Sequence, residues 1–301
     1  MKCAVVGVSM TSNRTILITG VTGQQGGAVA QALGGTGFHV RGLTRNPNSA
    51  RAAALSAQGI DIVKGDLDDE ASLRSALVGV WGVFGVQNAG EAGAEGEEIQ
   101  GKRLAMLARE AGVEHYVYTS VGSADKQTGV PHFDSKWRIE ETVRGLRFPS
   151  HVILRPVFFM ENLLAPFSLQ GDTLAWALGP YVKLQMIAVD DIGWFGASAF
   201  TDAAALNGRE IDLAGDVRTM PEAAEILTEA LGRPITFAQT PIEQVRQYSK
   251  EMALMLEWFE SVGYSADIAG LERDFGRALT KLPDWARSHA RPSGQTQGGA
   301  K

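Results

Sequence analysis

The sequence predicts an α/β fold: a doubly wound parallel sheet with helices on both faces and a smaller, mostly helical C-terminal lobe. Three observations predict it. From Thr15 onward, short β-rich runs alternate with longer segments of helical period, the mark of βαβ units. Glycine is abundant, 35 of 301 residues against 11 prolines, which supplies tight turns without a collagen-like repeat. Hydrophobic residues at 45% and charged residues at 21% suit a packed core rather than a disordered chain.

The alternation places strands at 15–19 (TILIT), 39–44 (HVRGLT), 61–63, 81–86 (WGVFGV), 115–119 (HYVYT) and 151–154. Helices are expected between them at 24–33, 49–58, 70–77, 97–111 and 134–147, each long enough for a parallel crossover. Gly34-Gly35 and Gly112 stop the first and fourth, and Asp68 or Asp69 starts the third. Beyond Arg155-Pro156 the regularity loosens. Helices are expected at 191–205, 221–231, 242–262 and 268–282, with one strand at 209–213. This divides the chain into a nucleotide-binding unit, 13–155, and a substrate or partner lobe, 156–290, of which about 190–215 rejoins the first sheet. The polar tail 291–301 is expected to be disordered.

A net charge of −6 offers no excess of cations for phosphate backbones, so nucleic acid is not an expected partner. Cys3 is the only cysteine, which excludes an intramolecular disulfide and paired-cysteine zinc or redox motifs. No apolar run is long enough to cross a bilayer, and the opening MKCAVVGVSM is too short in its apolar part for a signal peptide. A cytoplasmic protein without a membrane partner is expected. No metal-binding motif and no GxSxG elbow occurs, so neither a metal nor serine-hydrolase chemistry is implied. Glu91, Glu95, Glu97 and Glu98 read as a solvated acidic run.

The sharpest feature is Thr19-Gly20-Val21-Thr22-Gly23-Gln24-Gln25-Gly26, between a strand and a helix. Glycines at 20, 23 and 26 leave the turn without side-chain bulk, so backbone N–H groups and the helix N-terminus can face a pyrophosphate. The tip of the second strand then selects the dinucleotide. An acid there would hold the ribose 2′-hydroxyl of NAD. This chain instead has Val40-Arg41-Gly42-Leu43-Thr44-Arg45, and the planar fork of Arg45 suits a 2′-phosphate, favouring NADP(H) over NAD(H). Asp66-Leu67 follows the third strand, where the carboxylate could accept the adenine amino group or cap the next helix.

These residues resemble the atypical short-chain dehydrogenase/reductases, in particular the NmrA-like family. The matching segments are ILITGVTGQQGGAVAQAL, VRGLTRNP, VKGDLDD, GVFGVQN, YTSVGSAD, HFDSKWRIE, ILRPVFFMENL and IAVDDIG. The resemblance implies a Rossmann-type domain binding NADP(H), with a ligand cleft between it and the C-terminal lobe. Gln87 and Asn88 are similar to the NNAG segment of tyrosine-dependent relatives, and Ser120 and Ser123 stand where their carbonyl-orienting serine is expected. Those relatives use a Tyr-x-x-x-Lys dyad. Here Lys136 has His132 four residues before it, and none of the five tyrosines has a lysine at i+4.

Three readings follow. His132 could be the proton donor, its pKa depressed by Lys136 one turn away. The chain could reduce a small aromatic or quinonoid acceptor whose product needs no strong protein acid, as the family's quinone and triphenylmethane reductases imply. It could instead bind the cofactor without turnover and signal to a regulatory protein partner, as the family's transcriptional regulators imply. A tailoring role in aromatic biosynthesis, oxygenation included, is a further option. In each case Lys136 is expected at the nicotinamide ribose. The resemblance also implies Pro156 and Phe158 beside the nicotinamide, and Phe158, Phe159 and Asn162 are expected to frame the substrate. Oligomeric state is open, with a dimer among the options.

Overall fold

The computed structural model describes residues 14–290, so Cys3 and the tail 291–301 lie outside the described residues. The first half alternates strictly: β1 (Thr15–Ile18), α1 (Gln24–Ala32), β2 (His39–Thr44), α2 (Ala50–Ala57), β3 (Asp61–Lys64), α3 (Glu70–Ala76), β4 (Val80–Gly85), α4 (Ala89–Glu110), β5 (His115–Thr119), α5 (Pro131–Gly145) and β6 (Ser150–Pro156). Then come β7 (Phe158–Phe159), β8 (Leu169–Gln170), β9 (Thr173–Trp176), β10 (Leu184–Ile187), α6 (Val189–Thr201), α7 (Ala203–Leu206), β11 (Glu210–Leu213), β12 (Asp216–Arg218), α8 (Met220–Leu231), β13 (Thr236–Gln239), α9 (Ile242–Tyr248), α10 (Lys250–Ser261), α11 (Ile268–Phe275) and α12 (Leu282–His289).

The main sheet has seven strands in the order β11-β6-β5-β4-β1-β2-β3, all paired in parallel. Strand order reverses between β1 and β4, so the crevice outside their C-terminal ends is where a ligand fits such a sheet. One face buries Ile16, Ile18, Val117 and Val152 with α1 and α6; the other buries Leu17, Val83, Tyr116 and Tyr118 with α4 and α5. Alternate residues of one strand thus feed opposite cores. Glycines let α6 approach α1: a Cβ on Gly193 would lie 2.8 Å from the Ala28 carbonyl oxygen, and one on Gly196 2.4 Å from Val29. That close packing fixes the helix whose N-terminus opens into the crevice.

Three expectations need correction. Strands are not few beyond residue 156: two three-stranded sheets, β12-β10-β7 and β13-β9-β8, cover a third core around Phe158, Trp176, Trp258 and Trp285. The helix expected at 242–262 is two, because Ser249 is extended and its side chain caps Met252 at the start of α10. The helix expected at 268–282 ends at Phe275 with Gly276 in the left-handed region (φ 59°), and α12 follows it.

Candidate functional site

At the C-terminal ends of β1 to β4 lies a cleft of about 630 Å³, lined by Gly20, Thr22, Gly23, Gln24, Gln25 and Gly26 from the glycine turn. Gly20 takes φ 58°, which a side chain would resist, and its carbonyl accepts from the Gly23 amide at 2.8 Å. Gly23 is the N-cap of α1 and has no side chain to cap with, so the first-turn amides carry no side-chain cap, and Gln24, Gln25 and Gly26 line the cleft. Two contacts hold the turn from behind. The Arg51 guanidinium donates to the Gly23 carbonyl at 3.2 Å, and the Gln25 side chain accepts from the Thr119 hydroxyl at 2.6 Å.

One end of the cleft is formed by the tips of β2 and β3 with the start of α4: Leu43, Thr44, Arg45, Asn46, Ser49, Asp66, Leu67, Asp68, Glu91 and Gln100. Asp69, not Asp66, caps α3, by accepting from the Ala71 amide. One oxygen of Asp66 closes a turn with the Asp68 amide at 3.1 Å. Helix α4 braces this loop, with Arg103 donating to the Leu67 carbonyl at 2.7 Å and Gln100 to Asp68 at 2.8 Å.

Helix α4 begins eight residues before the position expected, at Ala89, because Asn88 caps it by accepting from the Gly90 amide at 3.0 Å. Gly93 then breaks it after one turn (φ 71°, ψ 168°). The acidic run is therefore only partly solvated, with Glu91 and Glu95 exposed and the other two acids turned to internal partners. Glu97 is fully buried, Glu98 pairs with Lys102 and Arg138, and Glu91 reaches across the cleft to Arg45 at 2.6 Å. Apart from the local Glu98–Lys102 pair, these acids meet partners more than 30 residues away in sequence, and nothing local announces it.

The other end is formed by Val86, Gln87 and Asn88 after β4 and by Phe159 after β6. Gln87 is buried, and both polar atoms of its amide are without a partner. A buried amide left unpaired carries a free-energy cost that a polar ligand group would relieve. Together with the open first turn of α1 and the Arg45 cation, it makes the lining suited to a dinucleotide phosphate and its polar ends.

Several expected site residues stand elsewhere. Thr19 is buried at the end of β1; its hydroxyl donates to the Val86 carbonyl at 2.9 Å and accepts from the Val86 amide at 2.8 Å, tying β1 to β4 at the crevice. Ser120, Pro156 and Asn162 do not line the cleft, and Phe158 points into the third core against Trp176. The Ser120 hydroxyl is buried without a partner. Lys136 Nζ lies 2.8 Å from Glu97 Oε1, an ion pair without hydrogen-bond alignment, while Ser135 donates to the other oxygen at 2.7 Å.

His132 falls in the first turn of α5, which starts at Pro131 rather than at 134, and its Nδ1 lies 2.6 Å from Glu251 Oε1 of α10. Burial holds the imidazole below its ordinary value, Glu251 opposes this, and Lys136 is the least of the causes. The expected depression by Lys136 is thus minor, since Glu97 neutralises that ammonium at contact distance. The strand tyrosines, Tyr116 and Tyr118, are enclosed, and burial pushes both phenols well up, out of reach of acid–base work near neutrality.

Comparison with known proteins gives a consistent picture. An NmrA-like family domain protein of Dictyostelium discoideum is 26% identical over 289 residues, covering 90% of this chain and 95% of its own length. The structure of the NADPH-dependent quinone oxidoreductase QOR2 from Escherichia coli, complexed with NADPH, superposes with a TM-score of 0.74 at 27% identity, covering 91% of this chain and 99% of that one. NmrA, a negative transcriptional regulator solved in complex with NADP, shares the fold with a TM-score of 0.76 at 20% identity, covering 92% and 95%. The NmrA-like family profile matches residues 12–289, nearly the whole described chain, and the protein belongs to that family.

Proposed function

We propose that the chain binds NADP(H) in this cleft and transfers a hydride to a small aromatic or quinonoid acceptor. The observation that carries the reading is the meeting, in one cleft, of the glycine turn at Gly20 to Gly26 with the Arg45 cation and the unpaired Gln87 amide. In this reading the first-turn amides of α1 hold the pyrophosphate. Arg45 meets the 2′-phosphate. Asp66 and Leu67 bound the adenine, and Gln87 and Asn88 serve the nicotinamide end. When bound, the reduced nicotinamide supplies the hydride. Phe159, half-buried at that end of the lining, offers a flat face on which an aromatic acceptor could stack. A quinone accepts hydride without needing a strong acid beside it, which fits a lining that contains no tyrosine. The QOR2 neighbour, named an NADPH-dependent quinone oxidoreductase, supports the same choice.

Purified protein given NADPH and a panel of small benzo- and naphthoquinones should consume the reduced-nicotinamide absorbance. Tight NADPH binding with no consumption on any quinone would overturn the enzymatic reading and favour a cofactor-gated regulator acting on a protein partner.

Two predictions arise here. Arg45→Ala should weaken NADPH about tenfold or more, the value of a lost charge-assisted contact, with NADH changed less than about twofold. Equal losses for both coenzymes, measured by calorimetry, would remove Arg45 from the 2′-phosphate. If His132 gives a proton to the acceptor, the pH profile of kcat should fall as pH rises through its lowered pKa, and His132→Ala should abolish that limb. Unchanged turnover in the variant would leave the His132–Glu251 pair a contact between α5 and α10 and nothing more.

A further inference from the structure

We propose that Glu91 is the coenzyme-specificity residue of this cleft: it competes with a 2′-phosphate for Arg45 and serves as the carboxylate acceptor for the 2′-hydroxyl of NAD(H). The inference rests on the dinucleotide reading above and extends it.

Discrimination at this site normally depends on the residue at the tip of the second strand, an acid for NAD or a cation for NADP. That strand ends here in a cation and no acid, so by its tip alone the site would be purely NADP-selective. The structure supplies the missing acid from another element. Glu91 Oε2 lies 2.6 Å from Arg45 Nη2, and Asn88 Nδ2 lies 3.4 Å from Oε1, so both carboxylate oxygens are engaged and both side chains of the ion pair line the cleft. The acid rides on an isolated helical turn, capped by Asn88 and cut from the rest of α4 by the left-handed Gly93. A single turn between a cap and a break can be displaced without moving the long helix behind it.

The energetics favour a modest but measurable role. Arg45 and Glu91 are 66% and 56% exposed, and exposed pairs are weak, so a 2′-phosphate can take the guanidinium from the carboxylate. In doing so it brings two like charges onto one cation, a penalty that a 2′-hydroxyl does not meet. A hydroxyl instead finds an acceptor already held in place. The chain is therefore built to accept both coenzymes, with Glu91 setting the ratio.

The test is calorimetric titration of wild type, Glu91→Gln and Arg45→Ala with NADPH and with NADH at low and moderate salt. Glu91→Gln should tighten NADPH roughly three- to tenfold and weaken NADH, shifting the affinity ratio by about tenfold, with the NADPH gain shrinking as salt rises. Coenzyme binding with a ratio that moves less than twofold in Glu91→Gln would overturn this assignment and leave the cofactor reading standing. Failure of wild type and Glu91→Gln alike to bind either coenzyme would overturn the cofactor reading itself.

Discussion

Gly26→Ala should weaken NADPH binding by about ten- to a hundredfold while leaving the chain folded. A Cβ at this position would lie 2.4 Å from the Gly20 carbonyl oxygen, 2.7 Å from the Gly20 carbonyl carbon and 2.7 Å from the Thr19 oxygen. All three are backbone atoms of the turn, so no side-chain rotation relieves the overlap. Either α1 moves away from the end of β1, or Gly20 leaves the conformation in which it accepts from the Gly23 amide. Overpacking of this kind costs about 1–3 kcal/mol, and because the strain falls on the amides that would face the pyrophosphate, the affinity should drop by about ten- to a hundredfold. Gly145→Ala is the control. It sits at the end of α5 with nothing within 4 Å of the added Cβ, and should bind as wild type does. Calorimetry and a thermal melt on both variants separate the outcomes; NADPH binding within about threefold of wild type in Gly26→Ala would show that the turn does not carry the cofactor.

The largest stability effect is expected at Glu140. It is completely buried, and its two oxygens accept from Arg155 Nε at 2.9 Å, Arg155 Nη2 at 2.6 Å and Arg144 Nη2 at 2.6 Å. Glu210 closes the cluster, accepting from Arg155 at 2.5 Å and Arg144 at 2.6 Å. The group ties α5, β6 and β11 together at the edge of the sheet where the chain runs on through Pro156 to Phe159. Burial would lower the Arg155 pKa, but Glu140, Glu210 and Asp212 together outweigh this and raise it. Glu140→Ala leaves that cation buried with Glu210 as its remaining ion-pair partner and Asp212 acting at longer range, and such single removals cost about 3–5 kcal/mol. The paired replacement Glu140→Met with Arg155→Met should recover much of the loss, because no unpaired charge remains. Urea midpoints measure both, and a loss below about 1 kcal/mol in the single variant would contradict the assignment. The pH dependence has a definite sign. Burial raises the Glu210 carboxyl, but Arg144 and Arg155 outweigh it and hold it below the ordinary glutamate value. Its contribution is present above that ordinary value and is lost as pH falls through the lowered one.

What was legible in the sequence was local. The strand, the glycine turn and α1 are adjacent along the chain, and each glycine has a stereochemical reason visible in its spacing, so that part of the cleft could be read directly. Arg45 and Asp66 were legible for the same reason, as residues at strand tips. Pairings made by the fold were not. Glu91 looked like one of several acids among glycines, and only the break at Gly93 and the crossing of α4 over the tips of β2 and β3 bring it to Arg45. Glu97 looked equally solvated, yet it neutralises Lys136 in the interior and weakens that residue's expected influence on His132. The small sheets of the C-terminal part escaped notice because strands of two to four residues, such as β7, β8 and β12, are too short to show a period. The cap at Ser249 was readable in principle, as a serine before a run of helical period, but the apolar spacing on either side obscured it.

The central claim is that the first strand-to-helix turn receives the linked phosphates of a reduced coenzyme. A crystal structure of the protein grown with NADPH tests it most directly. Pyrophosphate oxygens should lie within hydrogen-bond distance of the Gln24 to Gly26 amides, the 2′-phosphate on Arg45 with Glu91 turned aside, and the nicotinamide near Gln87 and Phe159. Density for the coenzyme at any other surface, with this turn carrying none, would contradict it.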